Sequence, residues 1–315
     1  MSVSFLLAPM AELSHRPLRE LIESFCPADE YFTEMISAGG LINGGPFEAW
    51  YADNGPCPEK LVYQLVGGDE DQLLKALILL DQKDCLGIDI NMGCSAPAIT
   101  RTGAGVRWMA DIDRAGALIR LLRPHTRRRL SVKLRTGLTD DFEYLLRFCR
   151  RLEEEGVELI TLHPRTAREK FKRKARWNYV PALKKELAIP LAGNGDIASA
   201  EEMLLKSGEC DALMIGRLAV RRPWIFGETK KANDTIFGGK QVTGAFLEET
   251  GLRFLELLAR YQPREFHLSR ARRFFSYFCD NLKWANHVKN LLNRERDLAG
   301  IERVWKAHFS YPPLE

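Results

Sequence analysis

The thiol of Cys94 is the best-placed reactive group in this chain. It sits in the run Asn91-Met92-Gly93-Cys94-Ser95-Ala96-Pro97, followed closely by Thr102-Gly103-Ala104-Gly105. Gly93 before it and the glycines after it keep the thiol accessible. The segment directly upstream, Leu86-Gly87-Ile88-Asp89-Ile90, has the apolar character of a buried strand. A Cys-x-x-Cys partner is missing, so a redox dithiol is not indicated. The thiol can act as a nucleophile or as a general acid; an ordinary thiol with a pKa of about 8.5 is largely protonated at neutral pH and can donate a proton. The other cysteines, Cys26, Cys57, Cys85, Cys149, Cys210 and Cys279, read as core or incidental residues.

A second group is Lys133, which emerges from the apolar run Ser131 to Leu134. A buried ammonium is costly unless it meets an anion or an electron-rich partner. It could face the N1–C2=O edge of a flavin, where negative charge develops on reduction. It could form a Schiff base, or simply snorkel to solvent. His163-Pro164-Arg165-Thr166 places an imidazole and a guanidinium two residues apart, an arrangement suited to a phosphate or an electron-rich ring. His125, His267, His287 and His308 fall in or near helices and receive no role. No histidine–carboxylate spacing suggests a metal.

Two glycine-bearing turns complete the set, Ala192-Gly193-Asn194-Gly195-Asp196 and Ile215-Gly216-Arg217. Glycines let backbone N–H groups approach a phosphate, and Arg217 can add a charge-assisted hydrogen bond. A phosphate-bearing ligand is expected. The bland alternative is that these glycines only make tight turns.

The elements that must position these groups are short apolar runs separated by helix-like segments. Strand candidates cover 5–8, 31–33, 60–65, 86–90, 130–134, 158–162, 189–192 and 212–215. Between them, 69–81, 142–155 and 199–207 carry helical spacing or helix-start residues. Eight strands alternating with helices over about 230 residues predict an α/β fold, a (β/α)8 TIM barrel. An open doubly wound sheet is the runner-up, and the absence of a Gly-x-Gly-x-x-Gly turn after the first strand counts against it. In the barrel, Pro9-Met10, Gln64, Asn91, Cys94, Lys133, Arg135, His163, Arg165, Asn194, Asp196, Gly216 and Arg217 all fall at or near strand ends, where such folds carry their sites.

Beyond Gly238-Gly239-Lys240 the strand signal stops. The segments 245–261, 268–280, 284–293 and 298–309 read as helices. The expected organisation is a catalytic barrel over 1–235 and a small C-terminal helical bundle domain over 244–315.

The chain has 315 residues, is 45% hydrophobic and carries a formal net charge of +4. That suffices for one large barrel plus a small domain. Its basic residues are clustered: His125-Thr126-Arg127-Arg128-Arg129, the stretch Lys170 to Arg176, and Arg270-Ala271-Arg272-Arg273. Clusters on a nearly neutral protein point to a polyanionic partner, the bland alternative being solvated helix ends and loops. No stretch approaches about 18 consecutive apolar residues, and the N-terminus has no signal-like pattern. A cytoplasmic, reduced protein is expected, as a monomer and without a membrane partner.

Taken in order, these stretches resemble the bacterial tRNA-dihydrouridine synthases. The resemblance runs through Ala8-Pro9-Met10, Tyr63-Gln64-Leu65, Asn91-Met92-Gly93-Cys94 with Gly103 and Gly105, and Val132-Lys133-Leu134-Arg135-Thr136-Gly137. It continues through His163-Pro164-Arg165-Thr166, Gly193-Asn194-Gly195-Asp196-Ile197 and Ile215-Gly216-Arg217. It implies an FMN-containing barrel whose C-terminal helices help grip tRNA. Gln64, Lys133, His163, Asn194, Gly195, Gly216 and Arg217 would surround the FMN, with Pro9, Met10 and Asp196 on the same cofactor side. Asn91 and Cys94 would face the target uracil, and Arg165 would lie near flavin or substrate. NADPH would reduce the flavin, hydride would pass to carbon 6 of the uracil, and Cys94 would protonate carbon 5. The chain departs from the family pattern at Ser95, where proline is usual, in the bulky Val106-Arg107-Trp108-Met109, and in the basic stretch from Arg168 to Trp177. The competing readings are an FMN barrel acting on a small pyrimidine, like the dihydroorotate dehydrogenases, a non-catalytic RNA-binding barrel, and a flavin-free barrel using Schiff-base or metal chemistry.

Overall fold

The computed structural model describes residues 3–169, 172–229 and 242–310. Eight strands form a closed, wholly parallel barrel in sequence order. They are β1 (Ser4–Leu7), β2 (Glu30–Ser37), β3 (Leu61–Val66), β4 (Gly87–Met92), β5 (Arg129–Gly137), β6 (Leu159–Thr166), β7 (Leu191–Asn194) and β8 (Ala212–Ile215). The expected TIM barrel is therefore the fold, and the doubly wound sheet is not.

Several strands run further than hydrophobicity alone suggests. β2, β5 and β6 each extend three or four residues past their apolar stretch. Arg135, His163 and Arg165 consequently lie within strands rather than in the loops after them, and β4 and β7 likewise run on by two residues to include Asn91 and Asn194. The reason is the barrel interior. Side chains alternate across a strand, and Asp89/Asn91, Ser131/Lys133/Arg135 and Thr161/His163/Arg165 occupy every second position. These polar residues share the inward face with Leu6, Phe32, Val62, Leu159, Ala192 and Met214, which form a small cluster of their own. The alternate positions, Ile88, Ile90, Leu130, Val132, Leu134, Ile160 and Leu162, join the larger core between strands and helices.

The helices start where side chains can satisfy their free N–H groups. Asp69 caps Glu70–Asp81, Asp141 caps Phe142–Glu154 and Ser199 caps Ala200–Ser207. The four expected C-terminal helices are present as Gly244–Tyr261, Arg264–Phe278, Ala285–Arg294 and Leu298–Ser310. Their second member starts four residues earlier than periodicity indicates, directly after Pro263. The expected linker, Gly238-Gly239-Lys240, lies outside the described residues.

The C-terminal helices are seated against the barrel. Trp224 packs its ring edge-on to Phe246 and Phe278, and Phe25 meets Trp224 and Phe246. Within the bundle, Phe254 stacks on Phe274 at 3.7 Å between centroids. Gly251 permits a close approach: a Cβ there would fall 2.4 Å from the indole nitrogen of Trp305. Among the described residues no helix is long and apolar enough to cross a membrane.

Candidate active site

At the C-terminal mouth of the barrel lies a cavity of about 380 Å³, within the range of small-molecule sites. Pro9, Met10, Gln64, Asn91, Cys94, Lys133, His163, Arg165, Asn194, Gly195, Asp196, Gly216 and Arg217 all line it. Every residue singled out from the sequence for a site role is thus brought to one place.

Cys94, on the loop after β4, and Cys57 are half-buried, while Cys26, Cys85, Cys149, Cys210 and Cys279 are fully buried. Two devices shape its loop. The Asn91 side-chain carbonyl accepts the N–H groups of Gly93 (3.2 Å) and Cys94 (2.9 Å). The Cys94 carbonyl accepts the Val106 N–H at 2.9 Å. Gly105 makes the second contact possible: its φ is +61°, and a Cβ there would sit 2.4 Å from the Cys94 carbonyl oxygen. The bulky residues that follow are an anchor. Trp108 is 1% exposed, donates its indole N–H to the Gly67 carbonyl at 2.8 Å, and lies under the Arg114 guanidinium.

Beneath Cys94 runs a buried polar chain. Ser131 donates to Asp89 at 2.7 Å, Gln64 donates to the other Asp89 oxygen at 2.7 Å, and Asn91 donates to Gln64 at 2.9 Å. Burial lifts the Asp89 carboxyl to about 6, against the hydrogen bonds from Gln64 and Ser131 and the charges of Lys133 and Arg129. The chain locks the amide orientations of Gln64 and Asn91, and through Asn91 it fixes the Cys94 backbone.

The cavity also gathers a concentration of positive charge. Lys133, Arg135, Arg165, Arg217 and Arg273 line the cavity, and among the described residues the one lining carboxylate is Asp196. Arg165 and Asp196 are paired. Lys133 makes no hydrogen bond or ion pair among the described residues. Burial, helped by Arg135, lowers its ammonium to about 8, with Asp89 and Cys94 opposing. Burial, then the charges of Lys133, Arg135, Arg165 and Arg217, push the His163 imidazole down to about 2. His163 is therefore neutral at physiological pH and offers a hydrogen bond rather than a charge.

Arg165 is 3% exposed and strongly engaged by the protein. It reaches the His163 imidazole at 2.9 Å, the Arg173 carbonyl at 2.5 Å and the Asp196 carboxylate. Asp196 also accepts the Ala175 N–H at 2.6 Å, and Trp177 donates to the Gly195 carbonyl at 2.8 Å. The loop after β6 is thus tied down onto the turn after β7. That turn needs its glycine: Gly195 has φ +115°, and a Cβ would lie 2.7 Å from the His163 ring.

Some site features escaped the sequence reading. Arg273 and Tyr277, from the helix Arg264–Phe278, line the same cavity. The basic cluster containing Arg273 is visible in the sequence, but which of its members faces the barrel mouth is not. The first basic cluster lies apart from the cavity. It sits at the N-terminal end of β5, away from the mouth. Arg129 pairs with Glu30, and Arg128 donates to the Lys83 and Cys85 carbonyls. In the third cluster Arg270 is 2% exposed and paired with Glu34, and Arg272 donates to the Glu295 carbonyl.

A parallel eight-stranded barrel with a thiol loop facing a cationic, glycine-bordered pocket at its C-terminal mouth has the arrangement of a TIM-barrel enzyme. The family profile described as dihydrouridine synthase matches residues 6–309. A probable tRNA-dihydrouridine synthase of Aquifex aeolicus (strain VF5) is 33% identical over 270 residues, 82% of this chain and 81% of its own length. A tRNA-dihydrouridine synthase B of Pseudomonas aeruginosa is 28% identical, covering 93% of this chain and 88% of its own length. The chain belongs to the dihydrouridine synthase family, whose members are oxidoreductases acting on tRNA.

Proposed function

We propose that this barrel reduces the C5=C6 bond of a tRNA uridine with noncovalently bound FMN as cofactor and NADPH as reductant. The observation that carries this reading is the convergence of one accessible thiol, an ammonium without a hydrogen-bond partner among the described residues and the two glycine turns on a single cavity. The residues present suit a phosphate-bearing flavin: Gly195 could not carry a side chain without meeting His163, and the lining charge is overwhelmingly positive.

The turn Asn194-Gly195-Asp196 and the pair Gly216-Arg217 would hold the phosphate end. Asn194 is already fixed by its hydrogen bond to the Met214 carbonyl at 2.8 Å. Lys133, Gln64 and neutral His163 would border the ring, and Pro9 and Met10 would close its apolar side. The chemistry supplied by FMN, when bound, is transfer of a hydride from NADPH to carbon 6 of the uracil. Asn91 holds the Cys94 loop so that the thiol presents its proton to carbon 5. Arg165 orients the loop after β6 beside the substrate. The barrel carries the chemistry, and the C-terminal helices with the loop after β6 hold the RNA backbone. A uridine must leave its stack to reach the mouth, at a cost of a few kcal/mol, which backbone contacts offset.

The first test is direct. The purified protein should be yellow, absorb near 450 nm, release FMN on denaturation and form dihydrouridine in unmodified tRNA with NADPH. A colourless protein that takes up no FMN under native conditions would sink the cofactor assignment. Arg217→Ala removes a charge-assisted hydrogen bond and should weaken FMN retention by roughly tenfold or more.

A second expectation concerns the loop after β6. Lys172, Arg173 and Lys174 are all exposed beside the mouth. Replacing the three together should weaken tRNA binding and flatten its dependence on log salt by up to about three counterions. The loss should be nearly independent of the target base, since phosphate contacts carry little sequence information. An unchanged salt slope would assign these charges to solubility alone.

A further inference from the structure

The helix Arg264–Phe278 presents Arg270, Arg273 and Tyr277 at spacings of three and four, which places them along one face. Two of the three line the catalytic cavity, although they belong to the C-terminal helices. Arg273 is exposed, and among the described residues its guanidinium has no ion-pair or hydrogen-bond partner. It lies over the Tyr277 ring, 5.6 Å from the centroid. An exposed guanidinium beside a half-buried aromatic ring, at the rim of a pocket, is suited to a nucleotide: the cation takes a phosphate and the ring offers a stacking face.

Arg270 explains how this face is held in place. Its guanidinium is 2.8 Å from the Glu34 carboxylate on β2, with both side chains at most 5% exposed. It also packs over the Phe266 ring at 4.5 Å. The other Glu34 oxygen accepts the Glu12 N–H at 2.6 Å. Glu12 belongs to the loop after β1, which supplies Pro9, Met10 and Ala11 to the cavity wall. One buried carboxylate therefore joins three parts: β2, the loop after β1, and the helix bearing Arg273 and Tyr277.

We infer that Arg273 and Tyr277 are substrate-contact residues that hold the extruded nucleotide through its backbone phosphate and a stacked ring, and that the Glu34–Arg270 pair positions them. This rests on the proposed tRNA substrate. Arg273 would serve recognition rather than the chemical step, because a phosphate contact is made equally in the ground state and the transition state. Such a contact appears in KM and not in kcat.

The experiment uses the FMN-loaded protein and unmodified tRNA transcripts. Arg273→Met should raise KM for tRNA about tenfold with kcat within about twofold, and should flatten the salt dependence of tRNA binding by about one counterion. Flavin reduction by NADPH without tRNA should stay at the wild-type rate. Tyr277→Leu should raise KM by a similar factor without changing the salt slope. Glu34→Gln should raise KM alone but add nothing in the Arg273→Met background, because it acts through Arg273. Wild-type KM and salt slope in Arg273→Met would overturn the assignment, as would loss of flavin from that variant. Additive losses in the double variant would overturn the positioning role of Glu34. Failure of the unaltered protein to be reoxidised by tRNA would instead refute the activity itself, so the two failures are distinct.

Discussion

Cys94→Ala is expected to cut dihydrouridine formation by roughly 10²-fold or more, the usual scale for a positioned acid, while leaving FMN binding and NADPH oxidation nearly intact. Neither of those steps uses the thiol. The fold should survive the change, because Cys94 is engaged mainly through its backbone: its N–H reaches Asn91 and its carbonyl accepts from Val106. Cys94→Ser keeps a donor, but one with a far higher pKa, so little activity should return. Stopped-flow measurement separates the two steps, following flavin reduction by NADPH and then reoxidation by tRNA. Wild-type reoxidation in the alanine variant would refute the acid role. Equal loss in both steps would point to a damaged site. Asn91→Ala serves as a companion, since it removes the acceptor for the Gly93 and Cys94 N–H groups while leaving the thiol in place.

Lys133→Met should have the second large effect. It deletes a cation that faces the cavity without a hydrogen-bond partner among the described residues. If that charge stabilises the ligand's developing negative charge, NADPH-driven flavin reduction should slow by roughly 10²-fold. The pH dependence provides an independent check. In the flavin-free protein the Lys133 ammonium titrates near 8, chiefly because of burial. Below that pH the group is charged and favours an anionic ligand. Above it the charge is lost, so the affinity of the stripped protein for FMN should fall as pH rises through about 8. A bound anion in turn holds the proton on the lysine, so its titration should move upward in the loaded protein. In Lys133→Met the step near pH 8 should vanish. Titrating the stripped proteins with FMN between pH 6.5 and 9.5, a window of about 1.5 units either side of 8, decides the matter. Identical profiles in the two proteins would remove Lys133 from this role.

The cavity wall is legible because barrel strands write their inward face into the chain. Asp89/Asn91, Ser131/Lys133/Arg135 and Thr161/His163/Arg165 alternate with aliphatic residues, so a period of two sorts them to one side. The same alternation misled the reading of strand limits, since polar inward residues look like loop residues when the strand is judged by hydrophobicity. Arg165 shows where such reasoning stops. Its place beside the site is readable, but its engagement with His163, Asp196 and the Arg173 carbonyl depends on two loops folding over it. That engagement makes it a positioner of those loops.

Charge was less legible than periodicity. The three basic clusters look alike in sequence, yet burial and partners give them different fates. Arg129 is consumed by Glu30 at the far end of the barrel, and Arg270 by Glu34 beneath the C-terminal helices. Lys172, Arg173, Lys174 and Arg273 are exposed, without an ion-pair partner among the described residues.

By itself the sequence determined the barrel, the run of C-terminal helices and which strand-end residues line the cavity at its mouth. Each of these follows from local periodicity or from residues next to a strand end, and a parallel barrel brings strand ends together whatever their separation along the chain. Only the tertiary structure decided which cations stay free, how Asn91 and Gly105 shape the Cys94 loop, and that a helix more than 100 residues beyond His163 supplies Arg273 and Tyr277 to the cavity rim. Those outcomes depend on contacts between distant segments, and such contacts leave no periodic trace in either segment alone.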